Sequence, residues 1–186
     1  MQPPAVTRRR RPFLAPFWVM WLLFFSAVAI ALVAWRSATT TTVVLVRHAE
    51  KELVTIDDPP LAPAGERRAE RLAQMFGTAR GVGHIEGIYV TNARRSQQTA
   101  APLASRLGIR PSVLPASTSS SGLASQVLHD HRGGRALIVG HSNTVPEIVE
   151  ALSGQTIAPI ADDEYDNVYV VTVPTFGQAN VLRLKY

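Results

Sequence analysis

The sequence predicts an α/β fold, specifically a three-layer α/β/α sandwich with a largely parallel central sheet. Three observations lead to this prediction. The short runs 43–46, 85–90 and 136–139 are rich in apolar residues, as in strands that are covered on both faces. Stretches with helical periodicity separate these runs along the chain. Polar clusters follow the runs at their carboxyl ends, where ligands bind in parallel sheets.

An apolar segment, residues 17–36, precedes the predicted domain. The stretch from Phe17 to Trp35 contains no charged side chain, and a helix of that length, at about 1.5 Å per residue, nearly spans the hydrocarbon layer of a bilayer. Four consecutive arginines, 8–11, come before it. We therefore expect a signal anchor in the cytoplasmic membrane, with the basic segment 1–16 in the cytoplasm and the domain periplasmic or extracellular. A cleaved signal peptide is the alternative, because it shares the basic start and the apolar stretch.

The folded domain is expected over residues 43–186, after a Ser/Thr-rich linker at 37–42. Its first strand is 43–46. Pro63 suits a helix start, and apolar residues at helical spacing predict a helix over 64–79.

The rest of the domain continues the alternation of strands and helices. Strands are predicted at 85–90, 113–114, 136–139, 168–173 and 181–184, and helices at 95–107, 123–131 and 144–152. The polar stretch 117–121 predicts a loop, and Asp162-Asp163-Glu164 predicts a solvent-exposed turn.

Charge and cysteine content exclude several classes of function. The net charge of +5 comes from the N-terminal arginines, because residues 37–186 carry 14 basic and 14 acidic side chains. A neutral domain gives no electrostatic reason to expect a nucleic-acid partner. The chain has no cysteine, which excludes disulfides, thiolate metal sites and a cysteine nucleophile.

Three polar clusters are expected to meet above the sheet. Arg47-His48 follows the first strand, the segment 91–99 follows the second, and 140–143 follows the strand 136–139. Together they contain two histidines and at least two arginines. Guanidinium groups match the tetrahedral oxygens of a phosphate, and a neutral imidazole nitrogen is able to attack phosphorus.

At these clusters the chain resembles the histidine phosphatase superfamily, in the branch related to phosphoglycerate mutase. The resemblance covers residues 43 to about 176 and rests on three motifs in the family's order. They are Leu45-Val46-Arg47-His48-Ala49-Glu50, then Thr91-Asn92-Ala93-Arg94-Arg95-Ser96-Gln97-Gln98-Thr99, and finally Gly140-His141-Ser142-Asn143-Thr144. Alignment on Gln98-Thr99 selects Arg95 as the second arginine.

The resemblance implies a phosphomonoester hydrolase that works through a phosphohistidine intermediate. His48 is then the nucleophile, and Arg47, Arg95 and His141 hold the phosphate oxygens. No metal and no organic cofactor is implied. The expected substrate is a small-molecule or cell-envelope phosphate ester.

The proton donor departs from the family pattern, because no Asp or Glu lies between Arg95 and Leu128 and Ser142 follows the second histidine. Our hypothesis is that Glu50 or Asp57, in the loop after the nucleophile, is the acid. The other candidates are Asp58 and, with weaker grounds, His129 and Asp130.

Two further polar features have more than one interpretation. Asn143 either binds phosphate or caps the helix that begins at Thr144. His129-Asp130-His131 has the composition of a metal cluster, but adjacent side chains point in different directions, so we predict no metal site there.

Two other functions compete with hydrolysis. A phosphomutase must retain its phosphoenzyme, and the chain is short for one. A catalytically weak or inactive protein that binds a phosphate ligand is the other alternative, which the missing acid favours.

Overall fold

The computed structural model describes residues 17–38, 40–77, 84–115 and 117–186. The chain separates into two compact units, Met1–Trp35 and Arg36–Tyr186. The predicted cytoplasmic segment 1–16 lies outside the described residues, and so do the last two residues of the helix predicted at 64–79.

The first unit is dominated by one helix, α1 (Phe17–Ala38). Aromatic residues four positions apart pack along it, with the rings of Trp21 and Phe25 stacked at 5.7 Å. The stretch Phe17–Trp35 has a mean hydropathy of 2.4, and none of its residues is buried inside the structure. By length and composition this helix is able to cross a membrane, although a signal sequence has the same properties.

The second unit is an α/β domain built around one six-stranded sheet. Its strands are β1 (Thr40–Arg47), β2 (Gly87–Thr91), β3 (Ser112–Leu114), β4 (Arg135–Gly140), β5 (Asn167–Pro174) and β6 (Asn180–Lys185). Its helices are α2 (Pro63–Gly77), α3 (Arg94–Leu107), α4 (Ser120–Asp130) and α5 (Thr144–Ser153).

The strands lie in the order β3-β2-β4-β1-β5-β6. The first four of these run parallel to one another. Strand β5 runs antiparallel to β1, and β6 runs antiparallel to β5. Consequently β1, β2 and β4 all end at the same edge of the sheet, and this edge carries the three polar clusters.

Helices cover both faces of the sheet, which confirms the predicted α/β sandwich. Val43 and Leu45 of β1 pack into one core with residues of α4 and α5, whereas Val44 and Val46 pack into a second core with residues of α2 and α3. Every residue of the run 43–46 therefore has an apolar partner, which explains why the run lacks the polar alternation of a half-exposed strand.

Two segments predicted to be irregular contain regular structure. The linker predicted at 37–42 is shorter, because α1 extends to Ala38 and β1 begins at Thr40, which pairs with Pro174 of β5. The loop predicted at 117–121 ends early, because Ser119 accepts a hydrogen bond from the backbone N–H of Gly122 and caps α4.

Candidate active site

His48 lies directly after β1 and is buried, with 4% of its surface exposed. Its Nδ1–H donates a hydrogen bond to the carbonyl oxygen of Ala49 at 2.8 Å. Since a carbonyl only accepts, this bond places the ring proton on Nδ1 and leaves Nε2 with a free lone pair. Burial lowers the pKa of His48 to about 4, the bond to Ala49 opposes this, and the charges of Arg95, His141 and Arg47 lower it further. Near neutral pH, His48 is therefore an uncharged ring with one bare nitrogen.

Arg47 is fixed by the loop between α5 and β5. Its Nη1 donates to the carbonyl oxygens of Ala161 at 2.7 Å and Glu164 at 3.2 Å. The guanidinium lies over the ring of Tyr165, 4.2 Å from the centroid, in a cation–π contact. The turn Asp162-Asp163-Glu164 is present as predicted, and its role is larger than that of a solvated turn, because it holds the first arginine.

Arg95 lies in the first turn of α3, close to Asp58. Its Nη1 is 3.6 Å from Asp58 Oδ1, and the same carboxylate accepts the backbone N–H of Arg94 at 3.0 and 2.9 Å. No side chain from the helix's own N-cap residue, Ala93, makes this bond. Asp58 thus caps α3 from a distant loop and contacts Arg95 at the same time.

His141 follows β4 and lies beside the nucleophile, with 5.2 Å between the centroids of the two imidazole rings. The Thr91 hydroxyl donates to Ser96 at 2.8 Å, so the 3.1 Å contact between His141 Nε2 and Thr91 has the histidine as donor. Burial lowers the pKa of His141, and the charges of Arg95 and Arg47 add to this effect. The structure therefore brings Arg47, His48, Arg95 and His141 together as one cluster.

Both arginines of this cluster hold a buried donor without an acceptor. Within the described residues, Arg47 Nε and Arg95 Nε are two of only four buried side-chain polar atoms that lack a hydrogen-bond partner. A buried donor without a partner costs on the order of 1–3 kcal/mol, so such atoms are rare. Here two such donors belong to the guanidinium groups of Arg47 and Arg95, beside the neutral ring of His48. Together they form a site suited to an oxyanion.

Gln98 and Thr99 tie the second motif to the first. The Thr99 hydroxyl accepts the backbone N–H of Ala49 at 2.9 Å and donates to the carbonyl of Arg95 at 2.7 Å. Gln98 accepts the backbone N–H of Leu61 at 2.8 Å, which fastens the far end of the loop that follows His48. These two residues, used above only for alignment, set the distance between the nucleophile loop and the second arginine.

Glu50 does not point to the cluster as the acid hypothesis requires. Its carboxylate makes a bidentate ion pair with Arg68 of α2, with the shortest distance 2.7 Å. Burial raises its pKa, but the hydrogen bonds from Arg68, a backbone hydrogen bond and the charges of Arg68 and Arg67 together outweigh burial and hold the pKa of Glu50 below its usual value. A carboxylate that is kept ionised is a poor proton donor. The contact with Arg68 therefore argues against Glu50 as the acid and favours a structural role for it.

The approach of α2 to this loop depends on a glycine. A Cβ atom on Gly65 would lie 2.2 Å from the carbonyl oxygen of Glu50. Any larger residue would push the helix away from the backbone that follows His48.

The remaining candidates lie in different places. Asp57 is exposed, while Asp58 contacts Arg95. Asn143 is exposed at the N-cap position of α5, and its side chain makes no capping hydrogen bond, so its phosphate-binding role stays a prediction. His129 and Asp130 end α4 and His131 follows it beside Gly87, at the edge of the sheet where β2 begins. This edge is opposite the one that carries the cluster. His129 and Asp130 therefore do not lie where a proton donor to the leaving group is needed.

Two contributing residues were missed by the sequence reasoning. Tyr165 supports Arg47 and lies 6.0 Å from the His48 ring, and Thr91 orients His141. Thr91 was within a recognised motif, but nothing in the sequence marks Tyr165. Among the residues that the structure describes, no three His, Cys, Asp or Glu side chains are grouped as metal ligands would be.

The chain is similar to known proteins in sequence and in fold. Residues 43–116 match the sequence profile of the Histidine phosphatase superfamily (branch 1). The matched segment is similar to that superfamily and covers less than half of the chain. No curated protein sequence matches the chain.

Solved structures of similar fold include phosphatases. The mycobacterial glucosyl-3-phosphoglycerate phosphatase superposes with a TM-score of 0.61 at 12% identity, covering 79% of this chain and 98% of that one. The protein histidine phosphatase SixA, in complex with tungstate, has a TM-score of 0.61 at 19% identity, with 77% and 96% covered. At these identities the likeness establishes the fold.

Proposed function

We propose that the domain is a phosphatase that hydrolyses phosphate monoesters through a phosphohistidine on His48. The observation that carries this proposal is the cluster itself. A neutral imidazole with a free Nε2 lies beside two guanidinium groups that each hold a buried, unpartnered Nε–H. The superfamily match and the histidine phosphatase structures support phosphatase chemistry.

The reaction has two steps. The Nε2 lone pair of His48 forms a P–N bond while the P–O bond to the leaving group breaks, and the departing oxygen takes a proton. Water then attacks the phosphorus and returns a proton to the group that protonated the departing oxygen, while the P–N bond breaks and its electron pair returns to Nε2 as phosphate leaves. The guanidinium groups of Arg47 and Arg95 offset the charge that develops on the phosphate oxygens in both steps, and His141 contributes a hydrogen bond when its Nε2–H turns from Thr91 to a phosphate oxygen.

Asp58 is the acidic candidate that directly contacts a residue of the cluster, Arg95, and to act as the acid its carboxylate has to take up a proton at the expense of that contact. The ion pair of Glu50 with Arg68 argues against Glu50 in this role. Because the Asp58 carboxylate also caps α3, Asp58→Asn tests position and proton transfer together. A loss that is large for an alkyl phosphate and small for nitrophenyl phosphate identifies an acid, since a good leaving group needs little protonation.

The helix α1 supports a location at the cytoplasmic membrane. We propose that it is an uncleaved anchor, that the N-terminus is cytoplasmic, and that the domain lies on the periplasmic or extracellular side, because four arginines precede the helix. Protease added to intact cells with a permeable outer layer should digest the domain. N-terminal sequencing that begins inside or after α1 would replace the anchor with a cleaved signal.

A phosphate-binding protein without turnover is the second candidate. It is favoured by one observation, that among the described residues no carboxylate is hydrogen-bonded to His48 or His141. Such a protein would bind inorganic phosphate in a calorimeter but release none from esters.

Trapping of the intermediate separates these two functions. The full chain in detergent is incubated with ³²P-labelled phosphoramidate and quenched in alkali, in which phosphohistidine is stable. We expect label on the wild type and on His131→Ala, a histidine at the opposite edge, and no label on His48→Ala. Label that persists in His48→Ala, or a protein that binds phosphate without becoming labelled, would overturn the proposal.

A further inference from the structure

A cleft of about 230 Å³ opens beside His141, where β2, β3 and β4 end and α4 and α5 begin. His141 forms part of its wall and also belongs to the phosphate cluster, with its ring 5.2 Å from His48. Thr91, which orients His141, is also in the wall. A group attached to a phosphate in the cluster therefore has this cleft next to it. The cleft is smaller than the roughly 300–1,000 Å³ of typical ligand pockets, so it suits a small group.

The floor of the cleft is apolar. It is formed by side chains of the core between the sheet and α4 and α5, namely Leu114, Leu123, Ile138 and Ile148, all of which are buried. Such a floor favours the carbon skeleton of a ligand.

The rim of the cleft is polar but uncharged. It consists of the hydroxyls of Thr91, Thr118, Ser119, Ser120 and Thr144 and the amide of Asn92. Several of these hydroxyls have protein partners, for example Ser120 on Glu147. Within the described chain, the side chains of Asn92 and Thr118 have no protein hydrogen-bond partner and remain available for ligand hydroxyls.

Apart from His141, none of the described residues in the wall is ionisable. A carboxylate or second phosphate in the cleft would lose water without gaining a cation, whereas a hydroxyl would exchange water for Asn92 and Thr118. Resting on the proposed function, we propose that the cleft receives the leaving group and selects small, uncharged, hydroxyl-bearing alcohols over anionic ones.

The test compares two esters of the same three-carbon skeleton, glycerol 3-phosphate and 3-phosphoglycerate, with the full chain in detergent. We expect kcat/KM to be about tenfold or more higher for the glycerol ester, because the two substrates differ in one polar group, a hydroxyl in place of a carboxylate. Thr118→Lys adds a cation to the rim and should shift the ratio towards phosphoglycerate by about tenfold. Ser125→Lys, an exposed position of α4 outside the cleft, is the control and should leave the ratio unchanged.

Phosphoramidate has ammonia as its leaving group, which does not need the cleft. It therefore separates a failure of the proposed function from a failure of the cleft proposal. If the wild type fails to form phosphohistidine from phosphoramidate, the proposed function fails. If it forms the intermediate but both esters have equal kcat/KM, or Thr118→Lys and Ser125→Lys change the ratio equally, the cleft proposal alone is overturned.

Discussion

Two regions of the domain each contain a pair of histidines, and only one of them has the properties of a reactive site. His48 and His141 lie at the carboxyl ends of β1 and β4, largely enclosed and close to two arginines. His129 and His131 lie at the opposite edge of the sheet, where the His129 side chain is 90% exposed and 3.0 Å from Asp130. In the first region, burial and neighbouring cations lower the pKa values of both histidines.

The two pairs are the same residue type, and they differ in the burial and the charge of their surroundings. A buried ring beside cations is neutral, and its lone pair is available to phosphorus, which the same cations attract as phosphate. An exposed ring beside a carboxylate is next to a group that repels phosphate. Four predictions test this difference.

The largest expected effect is the loss of the nucleophile. His48→Ala should lower kcat for a phosphate monoester by at least about 10⁴-fold, because the covalent route disappears. His131→Ala, at the other edge, should keep kcat within about twofold of wild type, a change too small to reflect loss of a transition-state contact. Initial rates of phosphate release measure both. Equal losses in the two variants would contradict the assignment of the active edge.

The second expected effect concerns the shape of the cation next to the nucleophile. Arg95→Lys keeps the charge but removes the buried Nε–H and the planar fork, so kcat/KM should fall by about 10²-fold. Arg94→Lys is the matched control, since Arg94 is exposed and only its backbone N–H contacts Asp58. If Arg94→Lys is the more damaging change, the alignment that selects Arg95 is wrong.

Much of the fold was predictable because it depends on local patterns. The continuous apolar run 43–46 requires cover on both faces, and the motifs at the strand ends indicated where Arg47, His48 and His141 meet. The contacts that complete the site are long-range. Arg47 is held by carbonyl groups 114 and 117 positions away, and no local pattern encodes that pairing.

Glu50 shows why adjacency in sequence misleads. Two positions after His48 it looked like a natural proton donor, but the loop turns it towards Arg68, 18 positions further along the chain. The catalytic roles of Arg47, His48, Arg95 and His141 stay predictions until the variants are measured.

The third prediction uses pH to probe the buried edge. The folded pKa of His48, about 4, lies below the unfolded value of 6.5, so between these pH values the unfolded chain binds more protons than the folded one. The free energy of unfolding should therefore fall as pH decreases from 6.5 towards 4, with a contribution from His48 on the order of 3 kcal/mol. Urea titrations of wild type and His48→Asn across this range measure the difference. Parallel pH profiles would show that His48 is not held neutral.

The smallest expected effect separates a structural carboxylate from a catalytic one. Glu50→Gln weakens the half-buried pair with Arg68, so the free energy of unfolding should fall by about 1–2 kcal/mol, a charged hydrogen-bonded pair discounted for its exposure. Asp130→Asn, at the exposed edge, is the matched control and should change stability little. Because Glu50 faces Arg68 and not the cluster, kcat for alkyl and nitrophenyl phosphates should decrease by the same small factor. A selective loss with the alkyl ester would mean that Glu50 reaches the leaving oxygen after all, through a loop arrangement other than the one that Arg68 holds.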